Sequence, residues 1–122
     1  VGKVVTRFPP EPSGYLHIGH VKAALLNYHY SKIYKGEMIL RFDDTNPSKE
    51  KHEFVESILE DLNTLGVKHS RLTYTSDYFD VIFDYGRQLI KKNLAYVDNT
   101  DVDTMRKQRQ DRIESPCRSF PV

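Results

Sequence analysis

Cysteine is nearly missing from this sequence, and Cys117 is the single one. One thiol cannot close an internal disulfide or build a cysteine-rich zinc site. Long apolar runs are missing too. None approaches the roughly 20 residues of a membrane-crossing helix, and the N-terminal stretch carries no signal-type apolar region. Charge of one sign is also lacking. Lys and Arg total 18 against 17 Asp and Glu, a formal charge of +1, so a nucleic-acid claim needs a local site rather than the whole-chain field. Internal repeats and low-complexity tracts are absent as well. What remains is 122 residues, 39% hydrophobic and 29% charged. That is enough for one small domain or a piece of a larger one, but not for two full-sized cores. The expectation is a soluble protein of a reducing compartment, most simply the cytoplasm, with no membrane partner.

The pattern along the chain alternates. Val4-Val5-Thr6-Arg7-Phe8 is β-branched and aromatic and reads as a strand closed by Pro9-Pro10. Pro9, Pro10 and Pro12 remove three backbone donors, so 9–14 is a loop. The spacing predicts a helix over 16–34, with Ile18, Val21, Leu25, Tyr28 and Ile33 near one face and Gly36 as its stop. Met38 to Phe42 reads as a strand buried on both faces. Asn46-Pro47 predicts a cap and a first helical position, opening a helix with Phe54, Ile58, Leu62 and Leu65 on one stripe and Gly66 at its end. A short strand around Leu72-Thr73-Tyr74 precedes a cap-like Thr75-Ser76-Asp77. Phe79, Ile82, Phe83, Leu89 and Ile90 mark a third helix, ending near Asn93. Leu94 to Val97 reads as another strand, and Thr100-Asp101-Val102-Asp103 as a capping box before a polar helix, Met105 to Ile113.

Strand–helix alternation predicts an α/β fold with an open parallel sheet and right-handed crossovers. Ligands bind outside the carboxyl ends of such strands, which directs attention to the residues after Phe8 and after Phe42. After Phe8, His17 and His20 lie at i and i+3 on the first turn of a helix and share a face. The unpaired N–H groups and dipole of that helix end favour anions, and two imidazoles add donors suited to phosphates. Gly14 permits a tight loop, and Gly19 leaves bare backbone for a flat base. Read from the residues alone, two exposed surface histidines on a capped helix remain the plainer alternative. Zinc fits poorly, because helical zinc pairs use i, i+4 spacing and a third ligand.

The fourteen residues Arg7-Phe8-Pro9-Pro10-Glu11-Pro12-Ser13-Gly14-Tyr15-Leu16-His17-Ile18-Gly19-His20 resemble the HIGH signature of class I aminoacyl-tRNA synthetases in its glutamyl/glutaminyl form. Arg41-Phe42-Asp43-Asp44-Thr45-Asn46-Pro47 resembles that subgroup's second-strand motif. The likeness continues through Tyr74 to Phe79 and Ala95 to Asp98, and Lys22 to Asn27 resembles eukaryotic-type glutamyl enzymes more than glutaminyl ones. The resemblance implies a Rossmann-like nucleotide-binding fold and a ligase that activates glutamate with ATP, Mg²⁺ accompanying the nucleotide, and passes it to the 3′ end of tRNA(Glu). It implies that His17 and His20 stabilise developing phosphate charge as catalytic residues. Glu11, Pro12, Ser13 and the turn His17, Ile18, Gly19, His20, Val21, Lys22 and Ala23 would line the ATP site. Arg7 would hold a carboxylate of the amino acid, and Asp43 would accept from its α-ammonium group. A salt bridge between Arg7 and Asp43 is the structural alternative. Asp44 is read either as a ligand contact or as a cap of the next helix, and Cys117 as a bystander.

On this resemblance, residues 1–98 form the first half of the catalytic domain, and 99–122 start the inserted acceptor-binding region. The basic run Arg106, Lys107, Arg109 and Arg112 is nearly cancelled by neighbouring acids and reads as a solvated face, with a weak phosphate contact as the alternative. The family's downstream KMSKS motif has no match here, so the chain is expected to be a fragment, inactive alone. The alternatives are a glutaminyl-tRNA synthetase, a tRNA-modifying paralogue, or a non-catalytic binding module derived from the family. A fused synthetase or multi-synthetase partner is left open.

Overall fold

The computed structural model describes residues 4–121 and divides the chain into two compact units, residues 1–78 and 79–122. The first unit holds β1 (Val5–Phe8), α1 (Ile18–Ile33), β2 (Glu37–Phe42), α2 (His52–Thr64) and β3 (Arg71–Tyr74), followed by a single 3₁₀ turn, Ser76–Tyr78. The three strands form one parallel sheet in the order β1-β2-β3. Parallel neighbours need long crossovers, and α1 and α2 supply them.

Register explains the core. Phe8 pairs with Leu40, and Phe42 with Tyr74, so these side chains share one face of the sheet. Phe8, Met38, Leu40 and Phe42 pack there with Ala24 of α1, Ile58 and Leu62 of α2, and Val67. The opposite face carries Arg7, Ile39 and Arg41, where Ile39 and Arg41 are half-buried. β2 therefore alternates, where the sequence predicts burial on both faces.

α1 corrects a second expectation. Its buried residues are Ala24 and Ser31, with Tyr28 partly buried against the core, whereas Ile18, Leu25 and Ile33 are exposed. The helix has apolar residues on two sides, and the small Ala24 lets it approach the sheet, so the larger stripe does not decide the packing. Its C-terminal end differs as well. Lys35 takes the left-handed conformation at φ 48°, not Gly36. Gly36 is required by close approach, because a Cβ there would stand 1.9 Å from the carbonyl oxygen of Val4.

α2 starts at His52, not at Pro47. The Glu50 carboxylate takes the Asn46 amide at 2.6 Å, and Lys49 N–H donates to the Asn46 carbonyl at 3.0 Å. Residues 46–49 are therefore a closed turn. Gly66 ends the helix as predicted, at φ 69°, and Val67 N–H closes back on the Leu62 carbonyl.

The second unit contains α3 (Phe79–Lys91), α4 (Val102–Asp111) and a 3₁₀ turn, Pro116–Ser119. Asn93 terminates α3 at φ 56°. Leu94 to Val97 is not a strand; an apolar run makes one only when a neighbour supplies the ladder. α4 begins three residues before its predicted start, because Asp101 caps it by accepting from Thr104 N–H at 2.9 Å. Cys117 is buried and donates to Asn99 Oδ1 at 3.1 Å. Beside it, the Thr100 hydroxyl and then the Thr100 amide hold the Asp98 carboxyl down at about 2.

Candidate active site

The loop after β1 and the segments after β2 and β3 meet at the carboxyl ends of the strands. Asp43 N–H donates to the Pro10 carbonyl at 3.0 Å, and Lys51 N–H to the Pro12 carbonyl at 3.3 Å. Thr75 N–H reaches the Phe42 carbonyl at 3.0 Å. Three proline-bearing residues of the loop lack donors, so the loop is held through its carbonyls. Pro12 is fully buried, while Glu11 is exposed and Ser13 half-buried. The loop's backbone and its flanking side chains, not the Pro12 ring, form its outer surface.

Two histidines build the start of α1. His17 is the N-cap, and its Nδ1 accepts from Gly19 N–H at 3.1 Å. His20 Nδ1 accepts in turn from His17 N–H at 3.2 Å. This is a capping box made of imidazoles in place of the usual hydroxyl and carboxylate. The rings lie 3.8 Å apart between centroids, tilted by 33°. An Nδ1 that accepts a hydrogen bond carries no proton, so each neutral ring bears its proton on Nε2. Both residues thus present an Nε2–H donor beside a helix N-terminus. Burial, then the His17 ring, pushes the His20 pKa below its ordinary 6.5, which favours that neutral form.

Ile18, Gly19, Lys22 and Ala23 are exposed along the same two turns, and Val21 is half-buried. Arg7 and Asp43 are both exposed, at the ends of adjacent strands. Among the described residues no ion pair joins them. Asp43 Oδ1 instead accepts from the Thr75 hydroxyl at 3.1 Å. Asp44 does not cap α2. Its carboxylate takes the amide of Ser76 at 2.9 Å and also the Ser76 hydroxyl. Burial alone would raise the Asp44 pKa, but those bonds outweigh it and hold the carboxyl below the usual range.

Thr75 and Ser76 are the residues that reading the sequence missed, being taken for a helix cap. The signal was present. They follow the third parallel strand, and the rule that ligands sit beyond strand carboxyl ends applies to β3 as much as to β1 and β2.

Comparison with known proteins agrees with the fold. The family described as tRNA synthetases class I (E and Q), catalytic domain, matches residues 3–121. The cytoplasmic glutamate–tRNA ligase of Saccharomyces cerevisiae is 61% identical over all 122 residues, which span 17% of that protein. The bifunctional glutamate/proline–tRNA ligase of Mus musculus is 55% identical over the whole chain, which spans 8% of it. Among solved structures, a glutamate tRNA ligase from Elizabethkingia meningosepticum in complex with its amino acid superposes with a TM-score of 0.75 at 29% identity, covering 90% of this chain and 24% of that one. The sheet and its crossovers are therefore those of a Rossmann-like catalytic domain, and the chain belongs to the class I tRNA synthetases of the E and Q group.

Proposed function

We propose that the protein carrying this chain is a glutamate–tRNA ligase: it joins glutamate to ATP as glutamyl-adenylate, releases pyrophosphate, and transfers glutamate to the 3′ end of tRNA(Glu). The observation that carries the reading is the imidazole capping box, with two Nε2–H donors at one helix N-terminus. Pentacovalent phosphate gathers negative charge as the carboxylate attacks the α-phosphorus. His17 and His20 would donate to oxygens where that charge grows, which lowers the barrier without covalent chemistry. Glu11, Pro12, Ser13 and His17 to Ala23 would form the ATP site. Arg7 would pair with a substrate carboxylate and Asp43 with its α-ammonium, each a charge-assisted bond. Mg²⁺ would arrive with ATP. Substrate phosphates commonly hold that ion together with one or two carboxylates.

Relatives named as glutamate ligases match the entire chain at 54–61% identity, which favours glutamate over glutamine. Several of those relatives are named cytoplasmic, and the same compartment is proposed here. Residues 1–98 would be the first half of the catalytic domain and 99–122 the start of the acceptor-binding insertion. Fusion to a proline ligase, as in the mouse relative, is a matter for the sequence beyond this chain. The test is pyrophosphate exchange by the full-length protein with glutamate and with glutamine. Glutamate-dependent exchange is expected. Exchange with glutamine alone would retain the chemistry and overturn the substrate, and exchange with neither would remove the ligase reading.

A further inference from the structure

Beyond β3, one hydroxyl stands between two charged side chains. Arg41 Nε–H donates to Thr75 Oγ1 at 3.1 Å, and Thr75 Oγ1 lies 3.1 Å from Asp43 Oδ1. A hydroxyl has one proton to give. With Arg41 occupying a lone pair, that proton goes to the Asp43 carboxylate. The direction of the chain is therefore fixed, from guanidinium through hydroxyl to carboxylate.

Each member is held from elsewhere. Thr75 is 8% exposed, and its amide is bonded to the Phe42 carbonyl at 3.0 Å. The Arg41 guanidinium lies over the Tyr78 ring, 5.2 Å from its centroid, a cation–π contact that restrains it. Asp43 itself is exposed, and its amide is fixed to the Pro10 carbonyl. Without Thr75 the carboxylate would have no side-chain anchor of this kind and would be free to rotate or to close on Arg41. A direct ion pair with Arg41 would occupy the oxygens a substrate ammonium needs. The Thr75 hydroxyl bonds Oδ1, and among the described residues no hydrogen bond is found to Oδ2.

We propose that Thr75 is a positioning residue for the amino-acid substrate: its hydroxyl, oriented by Arg41, sets the Asp43 carboxylate to receive the α-ammonium group. The proposal rests on the reading of Asp43 given under Proposed function. Its effect falls on amino-acid binding and spares ATP, because the relay ends on Asp43 and touches neither imidazole.

The experiment is steady-state pyrophosphate exchange by the full-length protein and its Thr75→Val, Thr75→Ala, Thr75→Ser and Asp43→Asn variants. Val keeps the shape of Thr, and Ala avoids any clash, so at least one hydroxyl-free variant should fold. Loss of a hydrogen bond to a charged group predicts about a tenfold rise in the KM for glutamate in both, with the KM for ATP unchanged and Thr75→Ser close to wild type. Parallel rises in both KM values, or failure of Ser to restore the glutamate KM, would reduce Thr75 to a fold-supporting role and overturn the proposal. Asp43→Asn separates the two layers of the argument. If it leaves the glutamate KM untouched, the assignment of Asp43 fails; if it raises that KM while Val and Ala do not, only the positioning role fails.

Discussion

Gly19 and His17 fit together with almost no clearance: the Gly19 amide donates to His17 Nδ1 at 3.1 Å, and a Cβ on Gly19 would stand 3.0 Å from His17 Cε1. The glycine therefore serves the pose of the ring more than the helix. Gly19 lies in the first turn of α1, where Ala is better than Gly by no more than the about 1 kcal/mol of a helix interior. Turning His17 aside to admit the methyl group loses a cap worth about 0.5–2 kcal/mol. These terms nearly cancel. Gly19→Ala should leave the melting temperature within a few degrees while slowing pyrophosphate exchange, because the displaced ring no longer aims Nε2–H. Normal exchange in that variant would detach the ring pose from the chemistry.

Protonation of His20 should undo the other half of the capping box. A charged imidazole has no lone pair on Nδ1, so a protonated His20 cannot accept from the His17 amide. His20 has a pKa below 6.5 in the folded chain, so the unfolded state binds the proton first. The neutral ring then contributes stability that is complete above about pH 6.5 and is lost as pH falls through the lowered folded value. Imidazole ¹⁵N spectra between pH 8 and 5 read this directly. Near pH 8 the His20 Nδ1 should be unprotonated, and its shift should move together with loss of protection at the His17 amide, which it accepts from. A proton on Nδ1 at pH 8 would contradict the capping box.

Much of the fold was legible, and the failures share a cause. Parallel strands, crossover helices and the Gly66 and Asn93 stops follow from patterns within a few residues, and they formed as expected. The His17–His20 pair was legible as neighbours on one turn, but their tautomers were not, since those depend on which ring nitrogen faces which amide. Asn46-Pro47 carried the right residues for a helix start, yet Glu50 closed a turn there instead. Asp44 and Thr75 depend on bonds across 32 positions of sequence, a separation that no local pattern encodes.

Gly36 offers a test of packing rather than chemistry. Its absent side chain makes room for the Val4 carbonyl, which also accepts from Glu37 N–H at 2.9 Å as β1 meets β2. Backbone cannot swing away as a side-chain tip can. Gly36→Ala should cost about 1–3 kcal/mol through forced separation of the strand ends. Lys35→Gly should stabilise by up to about 1 kcal/mol, because Lys35 carries the left-handed φ that glycine adopts freely. Chemical denaturation of both variants checks the pair, and equal destabilisation by both would mean that the close approach is not what selects Gly36.

His17 combines two roles that substitution can separate. As N-cap it accepts from Gly19 N–H, and as a proposed catalytic residue it donates from Nε2. Asn and Asp are strong N-caps, whereas Ala is a poor one. His17→Asn should therefore keep the α1 N-terminus and its stability but lack a donor at the distance of Nε2. His17→Ala should lose both, with about 1 kcal/mol of stability from the missing cap. Removing an oxyanion-type donor costs roughly 10²–10³-fold in rate, so both variants should slow adenylate formation by that order. The ATP affinity of the ground state should change far less. The measurements are single-turnover adenylate formation, equilibrium ATP binding and thermal melting of the full-length variants. If His17→Asn restored the rate along with the stability, the imidazole would be a cap and nothing more, and stabilisation of the phosphate would fall to His20 alone.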